Sequence, residues 1–346
     1  GGGTRRNRSA RADDIVAAAD VLEHSRLSPQ ECTLLISALG RCHMTGRAIG
    51  ILHVMIRDGP RPNVFHFNAA ISACEVCADW ARALEIFEMM PAQGVPHDVV
   101  SVNAAISACS KGGQWQEAVA LLERMTARDG LSPNVVSFTA AVDACARAGK
   151  WERALSLFES MRDMGVEPNV VSYNTAIGAC IHPGQWQRAI ALLEHMERSY
   201  IWPDVVTYTA AIRACGTAGR HTVALSLLGR MWETGVSPDV VCYSAALTAC
   251  EKSGAWASAL GLLDEMQSAW IPPDVVAFSA AISACQEGAQ WERALDVLDT
   301  MLISSGVSPN AFSFNAALGA CASVGRWLEA LDLLLMMQRL GVRPDA

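Results

Sequence analysis

Apolar residues recur along this chain at helical spacing, and the pattern restarts at short, fixed intervals. In the stretch that begins at Val135, Phe138, Ala141, Val142 and Cys145 fall at i, i+3, i+4 and i+7, on one face of a helix. Ala148-Gly149 breaks that pattern. A second stripe follows in Trp151, Ala154, Leu155, Phe158 and Met161, with Glu152, Arg153 and Glu159 on the far side. Gly165 is a helix stop, and Glu167-Pro168 bars the second helix from continuing. The stretch therefore predicts a pair of helices of about a dozen residues each.

The same text returns as the next 35 residues, Val170 to Asp204, and then throughout the chain. Units span 29–63, 64–98, 99–134, 135–169, 170–204, 205–239, 240–274, 275–310 and 311–345, with one extra residue in those that begin at Val99 and Val275. One helix hairpin cannot bury both of its stripes alone, so neighbouring units must stack. The expected fold is all-α, an α-solenoid of nine hairpins wound into a superhelix. Residues 1–28 stand apart as an Arg-rich leader (GGGTRRNRSARA) and a partial repeat helix (DDIVAAADVLE). The leader reads as the tail of an organelle transit peptide or as a fragment boundary.

Composition changes this picture little. No apolar run reaches the roughly 18 residues of a membrane span, and the net charge of −8 argues mildly against a nucleic-acid partner. Eight of the 12 cysteines (Cys74, Cys109, Cys145, Cys180, Cys215, Cys250, Cys285, Cys321) share the eleventh place of the unit, on the apolar stripe, where Cys acts as a small hydrophobe. Copies one repeat apart are too distant for disulfides. Cys74 and Cys77 have zinc-like spacing without a second ligand pair, so no metal or other cofactor is expected. Trp80, Trp115, Trp151, Trp186, Trp256, Trp291 and Trp327 each open a second helix and its apolar stripe. They read as packing between units rather than as a base-stacking row.

In a repeat array the constant places build the scaffold, and variable polar places are candidates for recognition. The fifth residues are Thr33, Asn68, Asn103, Thr139, Asn174, Thr209, Ser244, Ser279 and Asn315. The last residues are Asn63, Asp98, Asn134, Asn169, Asp204, Asp239, Asp274, Asn310 and Asp345. Asp or Asn before a helix is also a good N-cap. Capping does not explain why the fifth place holds only Asn, Thr or Ser.

A 35-residue unit that opens VVxYN or VVxYT, turns at Ala-Gly and closes GVxPD resembles the pentatricopeptide repeat family, in its uniform-length (P-type) class. The departures are the Trp and Cys places above, the missing closing glycines at Tyr200 and Trp270, and His97 where Pro is usual. The resemblance implies binding of single-stranded RNA in organelles, chloroplast more than mitochondrion, for processing, stabilisation, splicing or translation. It implies one base per unit, addressed by the fifth and last residues together. It makes the second residues, Phe65, Val100, Val136, Val171, Val206, Val241, Val276 and Phe312, wedges between bases. It places Arg41, Lys111, Arg147 and Lys252, at the thirteenth place of their units, near phosphates. The family's pairings (Thr or Ser with Asn for A, with Asp for G; Asn with Asp for U, with Asn for C or U) give 5′-AU(C/U)AUGGAU-3′.

Two other readings remain open from the residues. A protein-binding helical scaffold would vary long charged or aromatic residues on its inner face, unlike this small polar set. An enzyme would need motifs the chain does not contain: there is no HxE with PCxxC, no cluster of metal-binding carboxylates and no Gly-rich phosphate loop. The chain is therefore expected not to be an enzyme itself, with any catalytic domain of a larger protein lying outside it.

Overall fold

The structure is a computed structural model that describes residues 28–57, 60–127, 130–182, 184–303 and 306–343. Residues 1–27, with the leader and partial helix, and Asp345 lie outside the described residues. The described residues form helices and no strands. They fall into two compact units, residues 1–175 and 176–346.

The first unit holds α1 (Pro29–Arg41), α2 (Thr45–Arg57), α3 (Val64–Val76), α4 (Trp80–Ala92), α5 (Val99–Lys111), α6 (Trp115–Ala127), α7 (Val135–Arg147) and α8 (Trp151–Asp163). Helix α9 (Val170–Ala179) begins in it and ends in the second. The second unit continues with α10 (Trp186–Arg198), α11 (Val205–Thr217), α12 (His221–Glu233), α13 (Val240–Ser253), α14 (Trp256–Ser268), α15 (Val275–Glu287), α16 (Trp291–Ile303), α17 (Ala311–Ser323) and α18 (Trp327–Arg339). Within each, a first helix packs on its own second helix and on the first helix of the next hairpin. This is solenoid stacking.

Helix starts follow from capping. Asn63, Asp98, Asn134, Asp204, Asp239, Asp274 and Asn310 each sit extended at an N-cap, with the side chain accepting the N–H three residues on. In several units the third residue answers with its own side chain, closing a capping box; Ser101 Oγ accepts from the Asp98 N–H at 2.8 Å. Helix α9 has ten residues where its counterparts have 13 or 14. His182 precedes Pro183, and a residue before proline is disfavoured in the α region.

The core is made of repeated places. The fourth residues (Phe67, Val102, Phe138, Tyr173, Tyr208, Tyr243, Phe278, Phe314) and all eight eleventh-place cysteines are buried. The Trp row joins hairpins as the spacing suggests. A Cβ on Gly112 would lie 2.4 Å from Trp80 Cδ1, and one on Gly288 would lie 2.4 Å from Trp256 Cδ1, so each ring fills the turn of the next hairpin. The Arg326 guanidinium lies 4.3 Å from the Trp291 ring centre and Arg220 lies 5.5 Å from that of Trp186.

Tyr200 and Trp270 adopt φ of 56° and 58° where other units use glycine, and they are 86% and 93% exposed. The left-handed region is strained for a bulky residue. Trp270→Gly is expected to stabilise the protein by about 0.5–1 kcal/mol, after the entropy of the unfolded glycine is set against the relieved strain. A urea midpoint that rises with unchanged slope would show it; a lower midpoint would mean the indole makes contacts that outweigh the strain.

Candidate nucleic-acid interface

Successive places 2, 5, 9 and 13 of a first helix lie on one face, because they are three or four residues apart. The structure leaves that face open. The second-place side chains Phe65, Val100, Val136, Val171, Val206, Val241, Val276 and Phe312 are all more than half exposed, the lowest at 52%. Apolar side chains held out regularly beside polar ones are the opposite of what core packing would produce.

The fifth and last residues meet in two units. Asn68 Nδ2 donates to Asp98 Oδ1 at 3.3 Å, and Asn103 Nδ2 donates to Asn134 Oδ1 at 3.3 Å. Thr139 and Thr209 instead donate to the carbonyls of Val135 and Val205, at 2.7 and 2.6 Å, as Thr33 does to Pro29 at 3.1 Å. Asn174 and Ser244 are half-buried, Ser279 is buried, and Asn315 is exposed. Two fifth residues keep a buried oxygen with no partner, Asn68 Oδ1 and Ser244 Oγ. An unpaired buried acceptor or hydroxyl is costly, so these two places are the ones where an added partner would gain most.

Capping and recognition are compatible at the last residue. Asn169, Asn310, Asp239 and Asp274 use Oδ1 to accept the N–H of Ser172, Ser313, Cys242 and Ala277, at 3.0, 2.9, 2.9 and 2.8 Å. What remains differs. An Asn presents its NH₂ as a donor, and an Asp presents a second oxygen as an acceptor. Helix capping thus fixes the polarity each unit shows to a ligand.

The third residue belongs to this cluster, and the sequence reading missed it. Ser137 Oγ donates to Asn103 Oδ1 at 2.6 Å, Ser279 Oγ and Ser313 Oγ are 2.8 Å apart, and Thr209 Oγ1 lies 3.0 Å from Cys242 Sγ. Each links a fifth residue to the third residue of the following hairpin. The signal was present as Asn/Asp-x-x-Ser/Thr, the capping-box spacing.

The cations are less available than their positions suggest. Lys111 Nζ pairs with Glu75 at 2.9 Å, Arg147 Nε pairs with Asp143 at 2.7 Å, and Lys252 Nζ donates to the Thr217 carbonyl at 3.1 Å. Arg41 is exposed. On the second helices, carboxylates are drawn into lateral pairs, Arg153 with Glu123 at 2.8 Å, Arg230 with Glu197 at 2.6 Å, and Arg124 with Glu88. Part of the acidic balance is therefore engaged away from the open face.

Against known families, residues 57–233 match the pentacotripeptide-repeat region of PRORP, 238–287 match the PPR repeat family, and 32–60 and 312–342 match the PPR repeat. The first match alone covers more than half of the chain. The chain belongs to the pentatricopeptide repeat family. Its uniform 35-residue units are those of the P-type class. Among solved structures, the PPR protein PPR10 in complex with an 18-nt psaJ RNA element is similar at TM-score 0.72 and 20% identity, over 96% of this chain and 47% of that one. A cysteine-substituted form of PPR10 with the same RNA element gives the same values. PPR10 from maize is similar at TM-score 0.47 and 17% identity, over 98% and 58%. This chain spans about half the length of the first two, and no curated protein matches it in sequence.

The PPR scaffold also sorts the thiols. Burial pushes the Cys74 and Cys109 thiols up to about 12, and those of Cys145, Cys180, Cys215, Cys250 and Cys285 up to about 11. Cys42 and Cys77 alone are not buried. A thiol reagent at pH 8 should modify two residues of the native protein quickly and the other ten only on unfolding. Rapid loss of all twelve would contradict the packing role.

Proposed function

We propose that this PPR chain binds single-stranded RNA, with one base taken by each hairpin through its fifth and last residues. One observation carries the reading. In the second unit, a cleft of 320 Å³ opens between the exposed second residues Val241 and Val276, and the unpartnered Ser244 Oγ lines it. Two apolar walls with a hydrogen-bonding group between them suit a flat heterocycle that is apolar on its faces and polar at its edge. The solved PPR10 complexes with RNA support the same reading.

The remaining atoms at each last residue supply the chemistry of choice. A guanine edge offers N1–H and an amino group, which suit the second carboxylate oxygen of Asp239 or Asp274. Adenine N1 accepts, which suits the NH₂ of Asn169 or Asn310. Asn68 Oδ1, left without a partner, is the acceptor that would suit the N3–H of uracil. Unit by unit, the preferred strand is 5′-AU(C/U)AUGGAU-3′, and the role is organellar RNA metabolism, in the chloroplast before the mitochondrion. The chain acts by binding rather than catalysis.

Selection from a random single-stranded RNA pool tests binding, register and code at once. The expected product is a nine-base consensus of that form. No enrichment over the starting pool, or a product that is purely base-paired, overturns the reading.

A further inference from the structure

The same cleft extends beyond the space between Val241 and Val276. Its other end is lined by Ile181 and His182, just beyond α9, and by Arg213, Gly216 and Thr217 of α11. All of this lies within the second unit. Resting on the RNA-binding reading, we infer that this end is a phosphate site, with Arg213 as the main electrostatic anchor for the strand.

Arg213 stands at the ninth place of its unit, where the others carry Ser37, Ser72, Ser107, Asp143, Gly178, Thr248, Ser283 and Gly319. It is the one cation in that series, on the face that also carries the fifth residues. Lys111 and Arg147 are held by carboxylates at 2.9 and 2.7 Å, whereas no carboxylate among the described residues pairs with Arg213. Its guanidinium is exposed, and His182 is exposed at the same mouth. Gly216, which lines this end, lets α11 approach α13 closely: a Cβ there would stand 2.9 Å from Ala245 O.

The two ends of the cleft therefore differ in chemistry, apolar walls with a hydroxyl at one and a guanidinium with an imidazole at the other. A nucleotide has that division, base and phosphate. Arginine's planar fork of donors suits the oxygens of a phosphodiester and can engage two at once. The phosphate in question adjoins the base held by unit 240–274. Charge that is already paired elsewhere contributes little to counterion release, so Arg213 should add more to the salt dependence of binding than Lys111 or Arg147.

The test measures binding of the RNA recovered by the selection above, by fluorescence anisotropy from 50 to 300 mM KCl. Arg213→Gln should weaken binding about 10-fold at the lowest salt and reduce the log–log salt slope by about 0.7, one single-strand phosphate contact. The loss should be the same for RNAs that differ in any single base. Arg213→Lys should restore the slope while recovering only part of the affinity. Lys111→Gln should change the slope less than Arg213→Gln does. Neutral methylphosphonate linkages, introduced one at a time, should weaken the parent at the linkage beside the seventh base and leave Arg213→Gln unaffected there. An unchanged slope in Arg213→Gln overturns the inference, as does a loss confined to one base identity, which would make Arg213 a base reader. If the parent protein binds no single-stranded RNA, the functional reading itself fails, and the inference fails with it. Circular dichroism of each variant separates these outcomes from misfolding.

Discussion

Thr209→Asn is expected to move the preference at the sixth base from G to U, while the fifth and seventh bases keep U and G. Thr209 Oγ1 donates to the Val205 carbonyl at 2.6 Å, which on the proposed reading leaves the choice of base to Asp239. Asn68 shows what an amide does at this place: its Nδ2 turns to Asp98 Oδ1 at 3.3 Å, and its Oδ1 is left buried and unpartnered. An asparagine at 209 would pair with Asp239 in the same way and offer an acceptor to uracil N3–H. The discrimination at stake is about 1–3 kcal/mol, or roughly 10- to 100-fold between two RNAs differing only there. Thr209 is half-buried on an open face, so stability should change by less than about 0.5 kcal/mol. Competition between the two RNAs reads the result. A variant that still prefers G would remove the fifth residue from base recognition and leave it a structural hydroxyl.

The second large effect concerns the scaffold. A Cβ on Gly40 would stand 2.6 Å from Ala73 Cβ and 2.8 Å from Ala73 Cα, where α1 crosses α3. Neither atom is the end of a flexible side chain, so the two helices must move apart. Gly40→Ala should cost about 2–3 kcal/mol through overpacking, against roughly 1 kcal/mol of gain in helix propensity. Gly46→Ala and Gly50→Ala, in α2, meet nothing within 4 Å and should be neutral or stabilising. Urea denaturation of the three variants decides. Equal stability for all three would mean that α1 already sits loosely on α3.

The hairpins were legible because every level of the sequence agrees on them. Apolar stripes, the Asx residue before each first helix, and the Gly or Pro after each second helix mark the same boundaries. At the interface, the second residues came into view through the family resemblance, and they are exposed. The cation pairs could not. Glu75 lies 36 residues before Lys111, and the contact depends on carboxylates that occupy different places in different units. Asp143 is a ninth-place residue and Glu75 a twelfth-place one, so no rule of position announces them. The cleft was hidden for a related reason, since its lining is gathered from α11, α13, α15 and the turn after α9. Nor does the period betray the division into residues 1–175 and 176–346, because the text of the repeat runs through it unchanged.

The last residue of each described unit begins the next helix and keeps a polar atom for other partners, and this limits how such a chain can acquire a new target. Only a short side chain with an oxygen positioned for the following N–H groups satisfies the helix, so the alphabet at that place is nearly closed to Asp, Asn, Ser and Thr, Ser28 serving before α1. Replacement by Ala would forfeit about 1 kcal/mol of capping before any ligand is considered. The fifth place carries no such duty. Rewriting should therefore proceed mostly at fifth residues, with the last residue confined to the few letters that cap. Drift in specificity can then accumulate without eroding the fold.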